Sequence, residues 1–225
     1  MILVDMNQVT ISNLMIQMKN EPLSVDLVRH LVLNSIRSYR TKFFNEFGEL
    51  ILCYDDKHYW RRDLFPYYKS NRKKDRTESN LNWNELFETL NLIRDELKET
   101  FPYKVLQVDG AEADDIIATI VNLVSKTPNL FEKILIMSGD KDFIQLQTHE
   151  NVQQYSPTLK KFINGVDPNT YKIEHIFKGD RGDGIPNILS PDNTFVEGLR
   201  QKPLGKNKID SWKQVGTWPI DDWNE

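Results

Sequence analysis

Residues 105–142 read VLQVDGAEADDIIATIVNLVSKTPNLFEKILIMSGDKD, and this stretch decides the fold class. An apolar run at Val105–Val108 comes first, apolar residues at helical spacing follow over Ala113–Ser125, and a second apolar run stands at Ile134–Met137. This order predicts a strand, a helix and a second strand. Such units build a parallel sheet with helices packed on its faces.

The same alternation continues toward the N-terminus. Further strands are predicted at Ile2–Val4 and Leu50–Tyr54, and further helices at about Val25–Tyr39 and Trp83–Thr100. Ser24 and Asn82 precede these helices as suitable N-cap residues, and Glu85 takes the capping-box position after Asn82. The chain is therefore expected to be an α/β protein with a mostly parallel central sheet flanked by helices. Beyond about Pro168 the apolar period weakens, and residues 188–208 are expected to form a loop.

The composition narrows the class of protein. Hydrophobic residues make up 39% of the 225 residues and charged residues 28%, which is typical of a globular domain. No apolar run approaches the ~20 residues that span a bilayer, and the N-terminal MILVDMNQ lacks the pattern of a secretory signal, so no membrane partner is expected. The single cysteine, Cys53, lies in an apolar run, which favours a reducing, cytoplasmic location. The histidines show no ligand spacing, which disfavours a zinc site.

Carboxylates follow the predicted strands. Asp5, Asp55 and Asp140 each come at the end of an apolar run, or shortly after it. Because the carboxyl ends of parallel strands share one edge of the sheet, we expect these side chains to meet in one crevice. Further carboxylates stand close to this edge in the sequence: Glu112, Asp114 and Asp115 at the start of a predicted helix, and Asp142 after Asp140.

A cluster of carboxylates needs a compensating charge. Like charges repel at short range, and divalent cations are the ordinary way to stabilise them; oxygen ligands favour two Mg²⁺ ions, with Mn²⁺ as a substitute. Each residue also has a plainer interpretation. A single aspartate after a strand is often a turn former or an N-cap, and acidic residues complement a helix N-terminus. For Asp115 the helix-terminal role is favoured over ligation.

A dense basic segment follows the second strand. It contains these cations: Arg61, Arg62, Lys69, Arg72, Lys73, Lys74 and Arg76. Aromatic residues such as Trp60 and Tyr68 are interleaved, and aromatic rings can stack on single-stranded bases while the cations neutralise phosphates. The alternative is a solvated, partly packed surface helix. The formal net charge of −4 argues against a simple nucleic-acid coat protein, so the local clustering matters more than the sum.

Four stretches in order resemble the flap endonuclease and 5′→3′ exonuclease superfamily. VDGAEADDIIATI and ILIMSGDKDFIQL resemble its paired acidic motifs, and GDRGDGIPNI resembles its helix–three-turn–helix motif. YWRRDLFPYYKSNRKK resembles its basic arch, and this segment is most similar in sequence to the ribonucleases H of the T-even phages. The resemblance implies a PIN-like 5′-nuclease domain over 1–165, with the arch at about 57–80. It also implies a partial helix–three-turn–helix DNA-binding region with a short tail over 166–225.

The resemblance also implies roles for individual residues. The first metal cluster would comprise Asp5, Asp55, Asp114 and Asp140, with Glu112 beside it, and the second Asp142, Asp180 and Asp183. Lys69 and Arg72 would contact the scissile phosphate as catalytic residues. The nucleic-acid-binding set would be Arg61, Arg62, Tyr68, Lys69, Arg72, Lys73 and Lys74.

The implied activity is removal of RNA primers and 5′ flaps from duplex DNA during phage replication, in the host cytoplasm. The expected substrates are DNA and RNA–DNA hybrids with 5′ ends. A single-strand DNA-binding protein or a replication clamp is the candidate protein partner. The chain departs from the family where Pro186–Pro191 replaces further glycines. The sequence also ends at Glu225, whereas family members usually continue with a helical C-terminal portion, so it is either a natural short form or an incomplete sequence.

Two other functions were weighed against this one. A non-catalytic binder of branched DNA would share the fold, but all the expected ligands are present here. A phosphotransferase of another α/β fold would need a D-x-D-x-T/V motif near the first strand or a GxxxxGK[ST] loop, and the sequence contains neither.

Overall fold

The structure is a computed structural model that describes residues 1–17, 24–78, 81–127 and 132–215, without the side chains of residues 16, 17, 73–75, 78, 214 and 215. The chain divides into two compact units. The first comprises Met1–Tyr59 and Asn82–Val166, and the second comprises Trp60–Leu81 and Asp167–Glu225. The assignment of a nuclease domain and a DNA-binding region to parts of the chain stays a prediction.

A six-stranded sheet forms the centre of the first unit, in the order β3-β2-β1-β4-β5-β6. The strands are β1 (Ile2–Asp5), β2 (Leu50–Cys53), β3 (Lys104–Leu106), β4 (Ile134–Met137), β5 (Val152–Ser156) and β6 (Lys161–Ile163). All neighbours pair in parallel except β5 and β6. The α/β fold with a mostly parallel sheet is therefore confirmed.

Helices cover the sheet of the first unit. They are α1 (Met6–Gln17), α2 (Val25–Phe47), α5 (Trp83–Thr100) and α6 (Ala113–Lys126), and a 3₁₀ segment spans Lys141–Thr148. Leu3, Cys53 and Ile136 pack in a buried cluster with α6. Successive strand residues point to opposite faces, so Ile2 and Val4 face the other side, where α1 and α2 contact β1.

The predicted caps are present. Oγ of Ser24 accepts a hydrogen bond from the Leu27 N–H at 3.2 Å, and Oδ1 of Asn82 accepts from the Glu85 N–H at 3.3 Å. Helix α2 is longer than the predicted Val25–Tyr39 because its buried stripe continues through Phe43 and Phe47. It ends at Gly48, whose φ of 83° is unfavourable for other residues.

The second unit contains the remaining helices of the described residues: α3 (Arg61–Leu64), α4 (Asn71–Glu78), α7 (Pro168–Lys178) and α8 (Lys206–Val215). Asp167 caps α7 by accepting from the Thr170 N–H at 2.7 Å, so the region beyond Pro168 is more regular than its weak apolar period predicts. Residues 179–205 contain no helix. A second helix directly after Pro186 is therefore absent there, in keeping with the departure from the family motif. No helix of the described ranges is long and apolar enough to cross a membrane.

Candidate active site

The acidic site of the first unit lies at the carboxyl edge of three adjacent strands. Strand β1 lies between β2 and β4, and Asp5 pairs in register with Cys53. Asp55 follows β2 by two residues, and Asp140 follows β4 by three. The parallel topology thus brings Asp55, Asp5 and Asp140 to one edge, as the sequence predicts.

Asp5 is a buried carboxylate at this edge, at 4% exposure. Its Oδ1 accepts from the Gln8 N–H at 3.1 Å, and its Oδ2 accepts from the Ser138 hydroxyl at 3.0 Å. Burial, together with the nearby carboxylate of Asp55, raises the pKa of Asp5 to about 7. A carboxyl group in this state gains stability from any cation that approaches it.

Asp55 connects the edge of the sheet to the start of α6. Its Oδ1 accepts from the Ala113 N–H at 2.8 Å, which places the positive end of a helix beside this carboxylate. Glu112 precedes the helix and is only 1% exposed, and Asp114 lies in the first turn. Asp115 accepts from the Glu112 N–H at 2.9 Å, which confirms its predicted role as a helix-terminal residue.

Asp140 stands at the end of a tight turn, Ser138-Gly139-Asp140, and begins the 3₁₀ segment. Its Oδ1 accepts from the Asp142 N–H at 2.9 Å, and its own N–H donates to Oγ of Ser138 at 3.1 Å. Since Ser138 also donates to Asp5, one buried hydroxyl connects Asp5 to Asp140. Asp140 is therefore an N-cap residue, one of the plainer interpretations that the sequence left open, and it lies beside the acidic cluster.

Three uncharged side chains at this edge were not singled out from the sequence. Ser138 connects two carboxylates, Gln8 accepts from the Gly139 N–H at 3.2 Å, and Gln154 donates to the carbonyl oxygens of Ser138 and Asp140. Gln154 is fully buried in β5. No signal in the sequence identified Gln154, because β5 was not predicted and the partners of Gln154 lie 14 and 16 residues away.

In the second unit, Asp183 pairs with both predicted catalytic cations. Nη2 of Arg72 lies 2.7 Å from Oδ1 of Asp183, and Nζ of Lys69 lies 3.9 Å from Oδ2. The Lys69 N–H also donates to the carbonyl oxygen of Asp183 at 2.8 Å. The Lys69 side chain is only 8% exposed, so it has little contact with solvent. One carboxylate thus lies beside both cations.

The backbone around this ion-pair group is unusual. Lys69 has a φ of 55°, in the left-handed region that costs a non-glycine residue energy. Gly184 has a φ of 77°, and a Cβ there would lie 2.9 Å from the Tyr67 carbonyl oxygen, so only glycine permits this approach. The hydroxyl of Ser70 is buried and has no hydrogen-bond partner among the described residues. Strained backbone and an unsatisfied buried group are common at sites that change conformation.

Asp180 organises the turn that carries Asp183. Its Oδ1 accepts from the N–H groups of Gly182 and Asp183 at 2.7 and 3.2 Å, and its Oδ2 lies 3.7 Å from Nε2 of His175. Backbone bonds between Asp180 and Ile185 close the turn. The structure therefore places Asp180 and Asp183 in one unit with Lys69 and Arg72, and the other predicted metal ligands in the first unit.

The predicted nucleic-acid contacts are partly described. The Arg61 guanidinium lies over the Trp60 ring at 4.7 Å and 5.9 Å from the Tyr68 ring centre. Arg62 is exposed. The side chains of Lys73 and Lys74 lie outside the described residues. Outside this segment, Lys178 and Lys213 both pair with Glu174, whose pKa they lower to about 2.

The fold and the acidic edge together define a class of nuclease. Residues 14–176 match the family described as 5′-3′ exonuclease, N-terminal resolvase-like domain, so the chain belongs to the 5′-3′ exonuclease family. Among individual proteins it is 38% identical to the ribonuclease H of Enterobacteria phage T4 over 220 residues, which is 93% of this chain and 70% of the relative. It is 32% identical to the flap endonuclease Xni of Shewanella sp. strain MR-4 over 137 residues, 57% of this chain and 48% of the relative.

Solved structures agree on the fold. A bacteriophage T5 flap endonuclease complex with DNA and metal ions superposes with a TM-score of 0.69 at 21% identity, over 96% of this chain and 75% of that one. A bacteriophage T5 5′-exonuclease with bound zinc gives a TM-score of 0.66 at 18% identity, over 96% of this chain and 85% of that one. The family resemblance predicted from the sequence is thereby confirmed.

Proposed function

We propose that this chain hydrolyses phosphodiester bonds at the 5′ ends and 5′ flaps of duplex DNA, including RNA primers paired with DNA. The observation that carries the proposal is the convergence of Asp5, Asp55 and Asp140 on one sheet edge, in a chain of the 5′-3′ exonuclease family. The relatives of this chain are named ribonuclease H, 5′-3′ exonuclease and flap endonuclease, which supports this substrate class.

The reaction depends on divalent metal, and we infer that Mg²⁺ is the ion, with Mn²⁺ as a substitute. The donor set fits, because Asp5, Asp55, Glu112, Asp114 and Asp140 offer only carboxylate oxygens. The raised pKa of Asp5 supports this too, since a bound cation would offset the repulsion from Asp55. Bound divalent ions would supply an activated water and neutralise charge on the leaving oxygen. The second ligand group of the resemblance, Asp142, Asp180 and Asp183, stays a prediction.

The chain's own residues perform the remaining tasks. Ser138 and the Ala113 N–H hold Asp5 and Asp55 in fixed orientations through hydrogen bonds. Lys69 and Arg72 would exchange the Asp183 carboxylate for a substrate phosphate. Arg61 lies beside the rings of Trp60 and Tyr68. This group would contact a nucleic-acid strand through the charge of Arg61 and through stacking of bases on the rings. DNA replication in an infected cell, with a single-strand DNA-binding protein or clamp as partner, is the proposed setting.

Cleavage of two 5′-labelled substrates tests the proposal: a 5′-flap duplex and a 5′-RNA–DNA hybrid, each with Mg²⁺, with Mn²⁺ and with EDTA. We expect short 5′ products that require metal and disappear in Asp140→Asn. Asparagine keeps an oxygen that can accept the Asp142 N–H, so the variant loses charge while the turn is retained. Asp109→Asn is the matched control, because Asp109 is an exposed carboxylate near the start of α6.

The outcomes separate the two candidate functions. Metal-dependent products from wild type and Asp109→Asn, and none from Asp140→Asn, would establish the nuclease, and the two substrates would rank its preference. Tight, structure-selective binding with no cleavage under any metal would instead favour a non-catalytic binder of branched DNA.

A further inference from the structure

Side chains, rather than the sheet, hold the turn that carries Asp140. The β4–β5 pairing ends at Met137↔Tyr155, with one further bond from the Ser138 N–H to the Tyr155 carbonyl oxygen at 3.1 Å. Beyond it, the backbone groups of the turn have left the ladder and need other partners, because a buried unpaired amide group is costly.

Gln154 supplies two of these partners from the neighbouring strand. Its Nε2 donates to the Ser138 carbonyl oxygen at 3.1 Å and to the Asp140 carbonyl oxygen at 2.5 Å. Its Oε1 accepts from Nε2 of Gln147 at 3.1 Å, which fixes the orientation of the amide. Gln154 has 0% exposure, so these bonds form without competition from water.

Gln8, in α1, also bonds to this turn. Its Oε1 accepts from the Gly139 N–H at 3.2 Å. A Cβ at Gly139 would lie 3.0 Å from Nε2 of Gln8 and 3.2 Å from Oγ of Ser156, so the contact is close. The turn therefore has a partner on each side, and Gln154 bonds to both of its ends.

We propose that Gln154 is a positioning residue for Asp140, which sets the affinity of the acidic edge for divalent metal. Burying a side-chain amide costs free energy unless the amide is hydrogen-bonded. Here both N–H bonds of Gln154 go to the residues that flank Gly139. The inference rests on the proposed function, because it takes Asp140 as a metal ligand. Residues that orient metal ligands in this way typically change metal affinity 10–100-fold when replaced.

Gln154→Met tests the proposal, since methionine has similar length and no hydrogen-bonding amide. The matched control is Gln153→Met, one residue earlier in β5 and exposed. Mn²⁺ binding is measured by electron paramagnetic resonance without nucleic acid, alongside the metal concentration that gives half-maximal cleavage and the thermal unfolding midpoint in EDTA. We expect Gln154→Met to weaken Mn²⁺ binding by roughly 10–100-fold and to raise the metal requirement equally. Cleavage at saturating metal should recover, and Gln153→Met should match wild type.

Each result decides the proposal. A lowered unfolding midpoint with unchanged Mn²⁺ affinity would overturn it, because Gln154 would then be structural only. If Gln154→Met does not fold, Gln147→Met decides: it removes only the bond that orients the Gln154 amide, and it must weaken Mn²⁺ binding in the same direction. A wild type that binds Mn²⁺ but never cleaves would end the proposed function, while the Mn²⁺ titration would still test Gln154.

Discussion

Asp183→Asn should strengthen DNA binding. In the structure the Asp183 carboxylate lies 2.7 Å from Arg72 and 3.9 Å from Lys69, so it competes with any phosphate for these cations. Asparagine has nearly the same shape, and the Lys69 N–H bond to the Asp183 carbonyl oxygen does not depend on the side chain. The substitution therefore removes one anionic partner from both cations without removing the backbone contact between the segments.

The size of the effect follows from the exposure of the pair. The Arg72 side chain is 45% exposed and the Asp183 side chain 18%, so the ion pair is partly screened and contributes about 1 kcal/mol at most. Releasing that energy to a phosphate corresponds to an affinity gain of about 5-fold. One added phosphate contact should also steepen the plot of log affinity against log salt by roughly 0.9, or about 3.5-fold between 50 and 200 mM salt.

Fluorescence anisotropy with a 5′-flap duplex in EDTA measures this, because without metal only the cation effect remains. Asp192→Asn is the control, an exposed carboxylate of the same unit. In an Arg72→Ala background most of the gain should disappear. If Asp183→Asn binds no tighter than Asp192→Asn, or if the gain persists without Arg72, then the carboxylate does not compete with phosphate and the reasoning is refuted.

Two further predictions concern folding and reactivity. Asn187→Ala should lower the free energy of local opening of the loop at 185–202, measured by hydrogen exchange, by about 2–3 kcal/mol. The reason is that the Asn187 amide bonds to the Lys202 carbonyl oxygen, the Leu189 N–H and the Ser190 hydroxyl. The control Asn193→Ala should lower it by under ~0.5 kcal/mol, and equal protection in the two variants would contradict this. Burial raises the pKa of the Cys53 thiol to about 12, so the native thiol should react with a disulfide reagent at pH 8 only as fast as the chain unfolds, and rapid reaction without denaturant would count against the buried position.

The sequence predicted the elements whose side chains face a single environment. Strand β4 is uniformly apolar, β1 is apolar up to Asp5, and both are buried. Helices α5 and α6 each have one buried stripe, so the spacing of apolar residues identified all four elements directly. Helix α1 was not predicted, because polar residues such as Asn7 and Asn13 interrupt its apolar positions and it follows β1 without a connecting loop. Strand β5 was not predicted, because Gln154 interrupts its apolar pattern. This polar residue is buried through its hydrogen bonds to a turn that is distant in the sequence.

The candidate site divides in the same way. Asp5, Asp55 and Asp140 could be placed on one edge from topology alone, because strand ends determine their positions. The connection through Ser138 could not, since Asp5 and Ser138 are separated by 133 residues. The pairing of Asp183 with Arg72 joins positions 111 residues apart, and no pattern in either segment indicates it. The long loop after Pro186 depends on the bonds of one asparagine, which spacing does not reveal.

The central place of β1 has a consequence for synthesis of the chain. One edge of β1 pairs with β2, which follows within about fifty residues. The other edge pairs with β4 at Ile134–Met137, which is synthesised much later. The acidic edge is therefore incomplete until Asp140 has left the ribosome, more than half-way through translation of these 225 residues. A nascent chain carries the basic segment well before it carries Asp140. During that interval β1 lacks its β4 neighbour, so Asp5, Asp55 and Asp140 cannot yet meet at one edge of the sheet.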